Sequence, residues 1–250
     1  MTAVSAPGVR VHINRLAYAS HTVFEEMQLQ LQAGQCTCLL GRSGSGKSSL
    51  LRALAQLLGE RVCELRVECS DTLPLTGRVA YMAQEDLLLP WLTVLENATL
   101  GYRLRDRSHT RQEVVQRATQ LLRDVGLAAF AHASPAELSG GMRQRAALAR
   151  TLMENQPVVL MDEPFSALDA ITRLELQNLA AGMLRRRTTL LITHDPLEAL
   201  RLGDAVYTLD GQPAKLSAPL RPCGPAPRPA GDAQLLSLQA QLLTQLADSP

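Results

Sequence analysis

Residues 41–48 (GRSGSGKS) combine glycines, one lysine and several hydroxyl groups at a spacing suited to phosphate chemistry. In such a loop, successive backbone N–H groups turn inward around phosphate oxygens, and the glycines permit that backbone. Lys47, one of only two lysines in the chain, would reach the β- and γ-phosphates of a nucleotide. The hydroxyl of Ser48 would hold Mg²⁺. The sequence therefore predicts a phosphate-binding loop rather than an ordinary turn of glycine and serine.

The segments on either side of this loop favour the arrangement that a phosphate site requires. Residues 35–40 form a short apolar run typical of a buried strand, and residues 48–54 have the apolar spacing of a helix. The N-terminus of that helix would direct its dipole and its free N–H groups toward the phosphate. The residues that we predict to bind nucleotide here are Gly41, Arg42, Ser43, Gly44, Ser45, Gly46, Lys47, Ser48 and Ser49.

Two adjacent acids, Asp162 and Glu163, follow a second apolar run at residues 158–161. Taken alone, such a pair more often caps a helix or lies in a solvated turn. Downstream of a phosphate loop, however, it has the chemistry of a nucleotide hydrolase. Asp162 would bind Mg²⁺, and Glu163 would polarise the attacking water.

The rest of the sequence predicts an α/β fold around these residues. Alternating apolar and polar residues at 9–16 and 27–32 indicate half-buried antiparallel strands ahead of the loop, whereas residues 57–76 have no clear pattern. Further strands are predicted at 78–82, 158–161 and 189–192, with helical periodicity at about 93–155 and 171–187. Because strands alternate with helices, we expect a largely parallel sheet.

Composition narrows the class of protein. With 250 residues and 46% hydrophobic content, the chain can bury a sizeable core. Its net charge of +1 argues against a nucleic-acid-binding protein with a broad basic surface. The five cysteines suggest reduced thiols, and the Cys36/Cys38 pair lacks the partner ligands of a metal site.

The N-terminal residues lack a signal-peptide pattern, and no apolar run reaches the roughly eighteen residues that cross a bilayer. We therefore expect a soluble chain that reaches a membrane only through a partner.

Residues 138–145 (LSGGMRQR) resemble the signature motif of ABC-type ATPases. Ser139 can cap the helix that follows, and Gly140 and Gly141 let the backbone approach an anion. Taken alone, this segment would fit an ordinary capped helix equally well. Other residues resemble further motifs of this family, in the family's order. These are the adenine-stacking Tyr18, which would equally suit a core tyrosine, the Q-loop Gln84, the D-loop at residues 166–169 and the switch histidine His194.

The resemblance implies a P-loop NTPase fold, in which a RecA-like core carries an antiparallel β layer and the ABC α-helical subdomain at about 86–156. It implies a single ATPase domain over 1–215. Proline-rich composition predicts a linker at 216–231, and the spacing of leucines predicts a terminal helix at 232–250. The implied catalytic residues are Lys47, Gln84, Glu163 and His194, the implied Mg²⁺ ligands are Ser48, Gln84 and Asp162, and the implied ATP contacts outside the loop are Tyr18, Ser139, Gly140, Gly141 and Asp169.

The spacing of the motifs indicates which type of ABC protein this chain resembles. Lys47 and Asp162 are too close for the long coiled coil of chromosome or repair ATPases, and a single set of motifs excludes the tandem translation-factor type. Residues 84–94 (QEDLLLPWLTV) resemble the segment of importers that receives a coupling helix of the membrane subunit. Composition alone is about equally consistent with leucines that are buried in the core. This segment and residues 211–213 are similar to importers of nitrate, sulfonates, taurine and thiamine precursors.

The resemblance thus implies the ATP-hydrolysing subunit of an importer for a small solute, with ATP and Mg²⁺ as cofactors. It would work as a head-to-tail homodimer, each ATP lying between the phosphate loop of one copy and residues 139–141 of the other. Its partners would be two membrane permease subunits and, indirectly, a periplasmic or extracellular solute-binding protein. It would lie at the cytoplasmic face of the cell membrane and bind no nucleic acid. The alternatives are an exporter or lipoprotein-release ATPase, and a non-transport ATPase acting on DNA or ribosomes.

Overall fold

The computed structural model describes residues 6–19, 21–59, 62–105 and 109–248, and predictions at other positions lie outside the described residues. The strands, in chain order, are β1 (Val9–Tyr18), β2 (His21–Leu31), β3 (Cys36–Gly41), β4 (Cys63–Cys69), β5 (Val79–Met82), β6 (Val158–Asp162), β7 (Thr188–Ile192), β8 (Ala205–Asp210) and β9 (Lys215–Leu216). The helices are α1 (Lys47–Leu54), α2 (Val94–Arg105), α3 (Arg111–Asp124), α4 (Gly140–Met153), α5 (Ala170–Leu184), α6 (Pro196–Leu202) and α7 (Ala233–Asp248). The predicted α/β class is confirmed.

The chain divides into two compact units. The first comprises the described residues of Met1–Val79, Pro157–Glu163 and Leu184–Pro250, and the second comprises those of Ala80–Gln156 and Pro164–Met183. The phosphate loop and the acidic pair belong to the first unit. The residues that resemble the signature motif belong to the second.

A three-stranded antiparallel sheet in the first unit has the strand order β2-β1-β4. Alternate residues of β1 are buried, because one face of each strand packs on the core. Alternating residues predicted β1 and β2, whereas β4 was not predicted. The signal for β4 was present, since Cys63, Leu65 and Val67 alternate with charged residues in the period of a half-buried strand.

A six-stranded sheet has the order β5-β6-β7-β3-β8-β9. The strands β6, β7, β3 and β8 run parallel, whereas β9 pairs with β8 in the antiparallel direction. The carboxyl ends of parallel strands meet at one edge of a sheet. Gly41 at the end of β3 and Asp162 at the end of β6 therefore lie at the same edge, and β7 ends there with Ile192.

The second unit is mainly helical, as the periodicity at 93–155 predicted. Helices α2, α3 and α4 pack against one another. The apolar stripe of α3 that the sequence predicted is buried at Ala118, Leu121 and Leu122. A capping box of Thr110 and Glu113 fixes the start of α3, because each side chain accepts a hydrogen bond from the backbone of the other residue.

The end of the described chain packs on the first unit through α7, which contacts α6. Asp232 caps α7 by accepting a hydrogen bond from the Leu235 N–H at 3.0 Å. Within residues 216–231, the buried side chain of Arg228 donates hydrogen bonds to the carbonyls of Leu200, Gly203, Pro222 and Cys223. Over the described residues, no helix combines the length and apolar character needed to cross a membrane.

Candidate active site

The phosphate loop folds around the side chain of Lys47. Gly41 ends β3 and Lys47 begins α1, so the loop joins a strand to a helix as predicted. The Lys47 ammonium donates hydrogen bonds to the carbonyl oxygens of Gly41 at 2.8 Å and Arg42 at 2.7 Å. It also lies 3.4 Å from Ser45 Oγ. The loop thus holds one buried positive charge at the edge of the sheet, where a bound phosphate would meet it.

Opposite charges surround that ammonium. Burial lowers the pKa of Lys47, and the negative charges of Glu163 and Asp162 oppose this shift. Burial likewise raises the pKa of Asp162, while a hydrogen bond from the Ser48 hydroxyl opposes that shift. Burial thus disfavours the charged forms of both Lys47 and Asp162. A ligand that brings negative phosphate to the ammonium and a positive metal ion to the carboxylate would offset this cost.

The residues present fit Mg²⁺. The Ser48 hydroxyl lies close enough to the Asp162 carboxylate to lower its pKa, and both are hard oxygen donors of the kind that Mg²⁺ prefers. Gln84, the third predicted ligand, lies in the second unit just after β5, with its side chain exposed. Its role at the metal remains a prediction.

Glu163 and His194 meet at the same edge of the sheet. His194 Nδ1 lies 3.1 Å from a carboxylate oxygen of Glu163. The backbone of Glu163 has a φ of +48°, in the left-handed region, and its N–H donates to the Ile192 carbonyl at 2.9 Å. A non-glycine residue in this conformation needs support from its surroundings, and such residues cluster at active sites. This contact orients the imidazole and the carboxylate together, which the sequence alone did not indicate.

Tyr18 lies beside the helix that follows the phosphate loop. Its hydroxyl donates to Ser49 Oγ at 3.3 Å, and the residue is 39% exposed. The alternative of a core tyrosine is therefore wrong. An exposed ring beside the loop is available to stack on an adenine base, and that role remains a prediction.

In the second unit, the signature-like residues begin α4. Ser139 Oγ accepts a hydrogen bond from the Met142 N–H at 3.3 Å and so caps the helix, as predicted. Gln144, on the same helix, accepts a hydrogen bond from the Ala167 N–H at 2.9 Å. A Cβ at Gly141 would lie 3.3 Å from the Leu168 side chain. The signature-like turn and the predicted D-loop therefore lie side by side.

Asp169 caps α5 by accepting a hydrogen bond from the Thr172 N–H at 3.0 Å. Hydrogen bonding to Thr172 lowers the pKa of Asp169, so the group is an anion at neutral pH. The structure thus brings together Lys47, Ser48, Asp162, Glu163 and His194 in the first unit, and Ser139, Gly140, Gly141 and Asp169 in the second. The roles of these residues toward ATP remain predictions.

The loop depends on Gly46 for space as well as for conformation. Gly46 has a φ of +92°, and a Cβ there would lie 2.2 Å from Val23 Cγ1. We expect Gly46→Ala to lower the free energy of unfolding, measured by urea denaturation without nucleotide, by about 2–4 kcal/mol through backbone strain and overpacking. Gly44→Ala is the matched control, because Gly44 has a φ of +82° but no described atom within 4 Å of a Cβ. It should lose only about 1–2 kcal/mol, and equal losses would contradict the steric argument.

Known proteins resemble this chain over most of its length. The ABC transporter family matches residues 24–166. An uncharacterized ABC transporter ATP-binding protein of Haemophilus influenzae is 41% identical, over 95% of this chain and 98% of its own length. The aliphatic sulfonates import ATP-binding protein SsuB of Delftia acidovorans is 44% identical, over 94% of this chain and 93% of its own length.

Solved structures agree with the sequence relatives. The dimeric, post-hydrolysis state of the ATP-binding cassette MJ0796 bound to ADP and Pi has a TM-score of 0.75 and 27% identity. It covers 86% of this chain, and this chain covers 99% of it. The predicted cassette fold is thereby confirmed. The chain belongs to the ABC transporter family of ATP-binding proteins and is an ATPase of that type.

Proposed function

We propose that this chain is the ATP-hydrolysing subunit of an importer for small sulfonates, and that it works as a head-to-tail homodimer beneath a membrane permease. The observation that carries the proposal is the 44% identity to an aliphatic sulfonates import ATP-binding protein, because the alignment spans more than nine-tenths of both chains. The dimeric state of the similar cassette supports the homodimer.

The segment after Gln84 supports the proposal of a membrane partner. We call residues 86–93 the docking loop. Trp91, the chain's single tryptophan, is 74% exposed, and Leu87 is 55% exposed. Leu88 in the same loop is buried, so the loop is anchored in its own unit while two large apolar side chains face solvent. An exposed apolar pair of this kind is typical of a protein interface, where a permease helix would cover it.

The residues of the first unit suit hydrolysis of the γ-phosphate. Glu163 would accept a proton from the attacking water, and His194, beside that carboxylate, would contact the γ-phosphate. Lys47 would stabilise the charge on the transferring group. Mg²⁺ held by Ser48 and Asp162 would neutralise charge on the β- and γ-phosphates. Residues 139–141 of a second copy would supply a helix N-terminus to the same phosphate.

A growth experiment tests the proposed solute. We expect deletion of the gene to abolish growth on an aliphatic sulfonate as sole sulfur source while growth on sulfate continues. The wild-type gene should restore growth, and a Glu163→Gln gene should not. Normal growth of the deletion strain on sulfonates would contradict sulfonate import. Stimulation of hydrolysis by DNA or ribosomes would instead indicate the non-transport class.

Trp91 tests the proposed partner. In the free chain its fluorescence should be quenched by iodide, and co-purification with the permease should protect it, because the docking loop would then be covered. Trp91→Ala should reduce solute uptake by about tenfold or more, while ATP hydrolysis by the free chain stays within about twofold of wild type. Phe130→Ala is the control, since Phe130 is also partly exposed in the second unit but lies outside the docking loop. Unchanged uptake with Trp91→Ala would contradict the docking role.

A further inference from the structure

Two arginines of α4 hold the first residues of the docking loop. Arg150 donates hydrogen bonds to two successive carbonyl oxygens, those of Asp86 and Leu87, both at 2.7 Å. Burial lowers the pKa of Arg150, yet an arginine remains charged at neutral pH. Because a charged donor strengthens each hydrogen bond, this fork fixes the backbone of the loop to the last turn of α4.

Arg143 lies two turns closer to the start of α4 and holds the side chain of Asp86. Its Nε donates to Asp86 Oδ2 at 3.0 Å, although the two residues lie 57 positions apart in the chain. The same guanidinium donates through Nη1 to the carbonyl oxygen of Leu138 at 2.9 Å. Leu138 immediately precedes Ser139. A single planar group therefore connects the docking loop to the turn that presents the signature-like residues.

The other end of the docking loop is fixed as well. The fully buried side chain of Asn97 accepts a hydrogen bond from the Leu89 N–H at 2.8 Å. Its amide donates to the carbonyl oxygens of Leu89, Leu92 and Thr93. The exposed Leu87 and Trp91 thus lie on a loop that is anchored at both ends. Displacement of these side chains would be passed to the anchors rather than absorbed by the loop.

We propose that Arg143 is a positioning residue, which sets the turn at Ser139–Gly141 according to the position of Asp86 in the docking loop. The planar guanidinium has donors at fixed angles, so a shift of the Asp86 carboxylate reorients the donor that holds Leu138. Ser139, the next residue, starts the helix whose N–H groups would face the γ-phosphate. This inference rests on the proposed function, in which the signature turn closes on ATP held by another copy.

The test compares three variants of the full chain by ATP hydrolysis and by binding of a fluorescent ATP analogue. We expect Arg143→Met to lower kcat by about tenfold and Asp86→Ala by about threefold to tenfold, with the Kd for nucleotide within about twofold of wild type. The double variant should be no slower than Arg143→Met, because both changes break one connection. If Arg143→Met does not accumulate as a folded protein, Arg143→Lys should lower kcat by about threefold, since an ammonium keeps the charge but not the planar fork.

Arg117→Met separates positioning from general loosening of the second unit. Arg117 donates to the Tyr102 hydroxyl at 2.9 Å and to the Leu152 carbonyl at 3.5 Å, outside the docking loop. It should keep kcat within about twofold of wild type. An equal loss with Arg117→Met, a double variant whose losses multiply, or unchanged kcat with Asp86→Ala would overturn the inference. Ser139→Arg tests the proposed function separately from the role of Arg143. Unchanged kcat in the Ser139→Arg variant would contradict the proposed function itself.

Discussion

Glu163→Gln is expected to lower the rate of ATP hydrolysis by about 10²- to 10⁴-fold while ATP still binds. The amide has the size of the carboxylate but cannot accept the proton of the attacking water. The predicted Mg²⁺ ligands Ser48 and Asp162 are unchanged, and Lys47 keeps its bonds to the loop carbonyls. Phosphate release measures the rate, and a fluorescent ATP analogue measures binding.

Glu25→Gln is the matched control for Glu163→Gln. Glu25 lies exposed on β2 in the same unit, so the same change there should leave hydrolysis within about twofold of wild type. Hydrolysis by Glu163→Gln at the wild-type rate would contradict the assignment of Glu163 as the base. Loss of nucleotide binding in that variant would instead indicate a role in holding ATP.

Lys47→Ala is expected to weaken ATP binding by about 10²- to 10⁴-fold, since hydrogen bonds to charged groups contribute about 1.5–3 kcal/mol each and Lys47 would make at least two to phosphate oxygens. Burial lowers the pKa of this ammonium, and the negative charge of a bound polyphosphate would favour its charged form. ATP at about 100 times its Kd should stabilise the wild-type chain by about 2.7 kcal/mol. The same ATP concentration should give Lys47→Ala almost no stabilisation in thermal unfolding.

Lys215 provides the control for the lysine substitution. It lies exposed on β9, outside the candidate site. Lys215→Ala should therefore retain the affinity for ATP and the stabilisation that ATP confers. Nucleotide affinity that is unchanged in Lys47→Ala would contradict the phosphate-loop assignment.

The parts of the fold that could be predicted are those with strong local patterns. The strand before Gly41, the acidic end of β6 and the stripe of α3 each carry their signal within a few residues. The missed strand β4 also alternates, but it is short and lies within residues 57–76, a stretch that shows no clear pattern as a whole. Its place beside β1 is fixed by pairing across the chain, and local patterns carry no information on such pairing.

The candidate site divides in the same way. Motif spacing predicted Lys47, Asp162 and Glu163. Lys47 lies where the glycine-rich loop meets a helix, and the two acids directly follow an apolar run. It did not predict the Glu163–His194 contact, which depends on two strands ending at one edge of the sheet. Nor did it predict the pairing of Asp86 with Arg143, since an arginine on an exposed-looking helix face gives no sign of a partner 57 positions away.

Light scattering of Glu163→Gln tests the proposal that ATP closes two copies of this chain head to tail. With ATP and Mg²⁺, the mass of this variant should double, because in the proposed dimer unhydrolysed ATP would remain bound between the phosphate loop of one copy and residues 139–141 of the other. Adding Ser139→Arg should keep the chain monomeric, since the larger side chain would occupy the contact at the phosphate. A Glu163→Gln/Ser139→Arg variant whose mass doubles equally with ATP would contradict the proposed head-to-tail dimer.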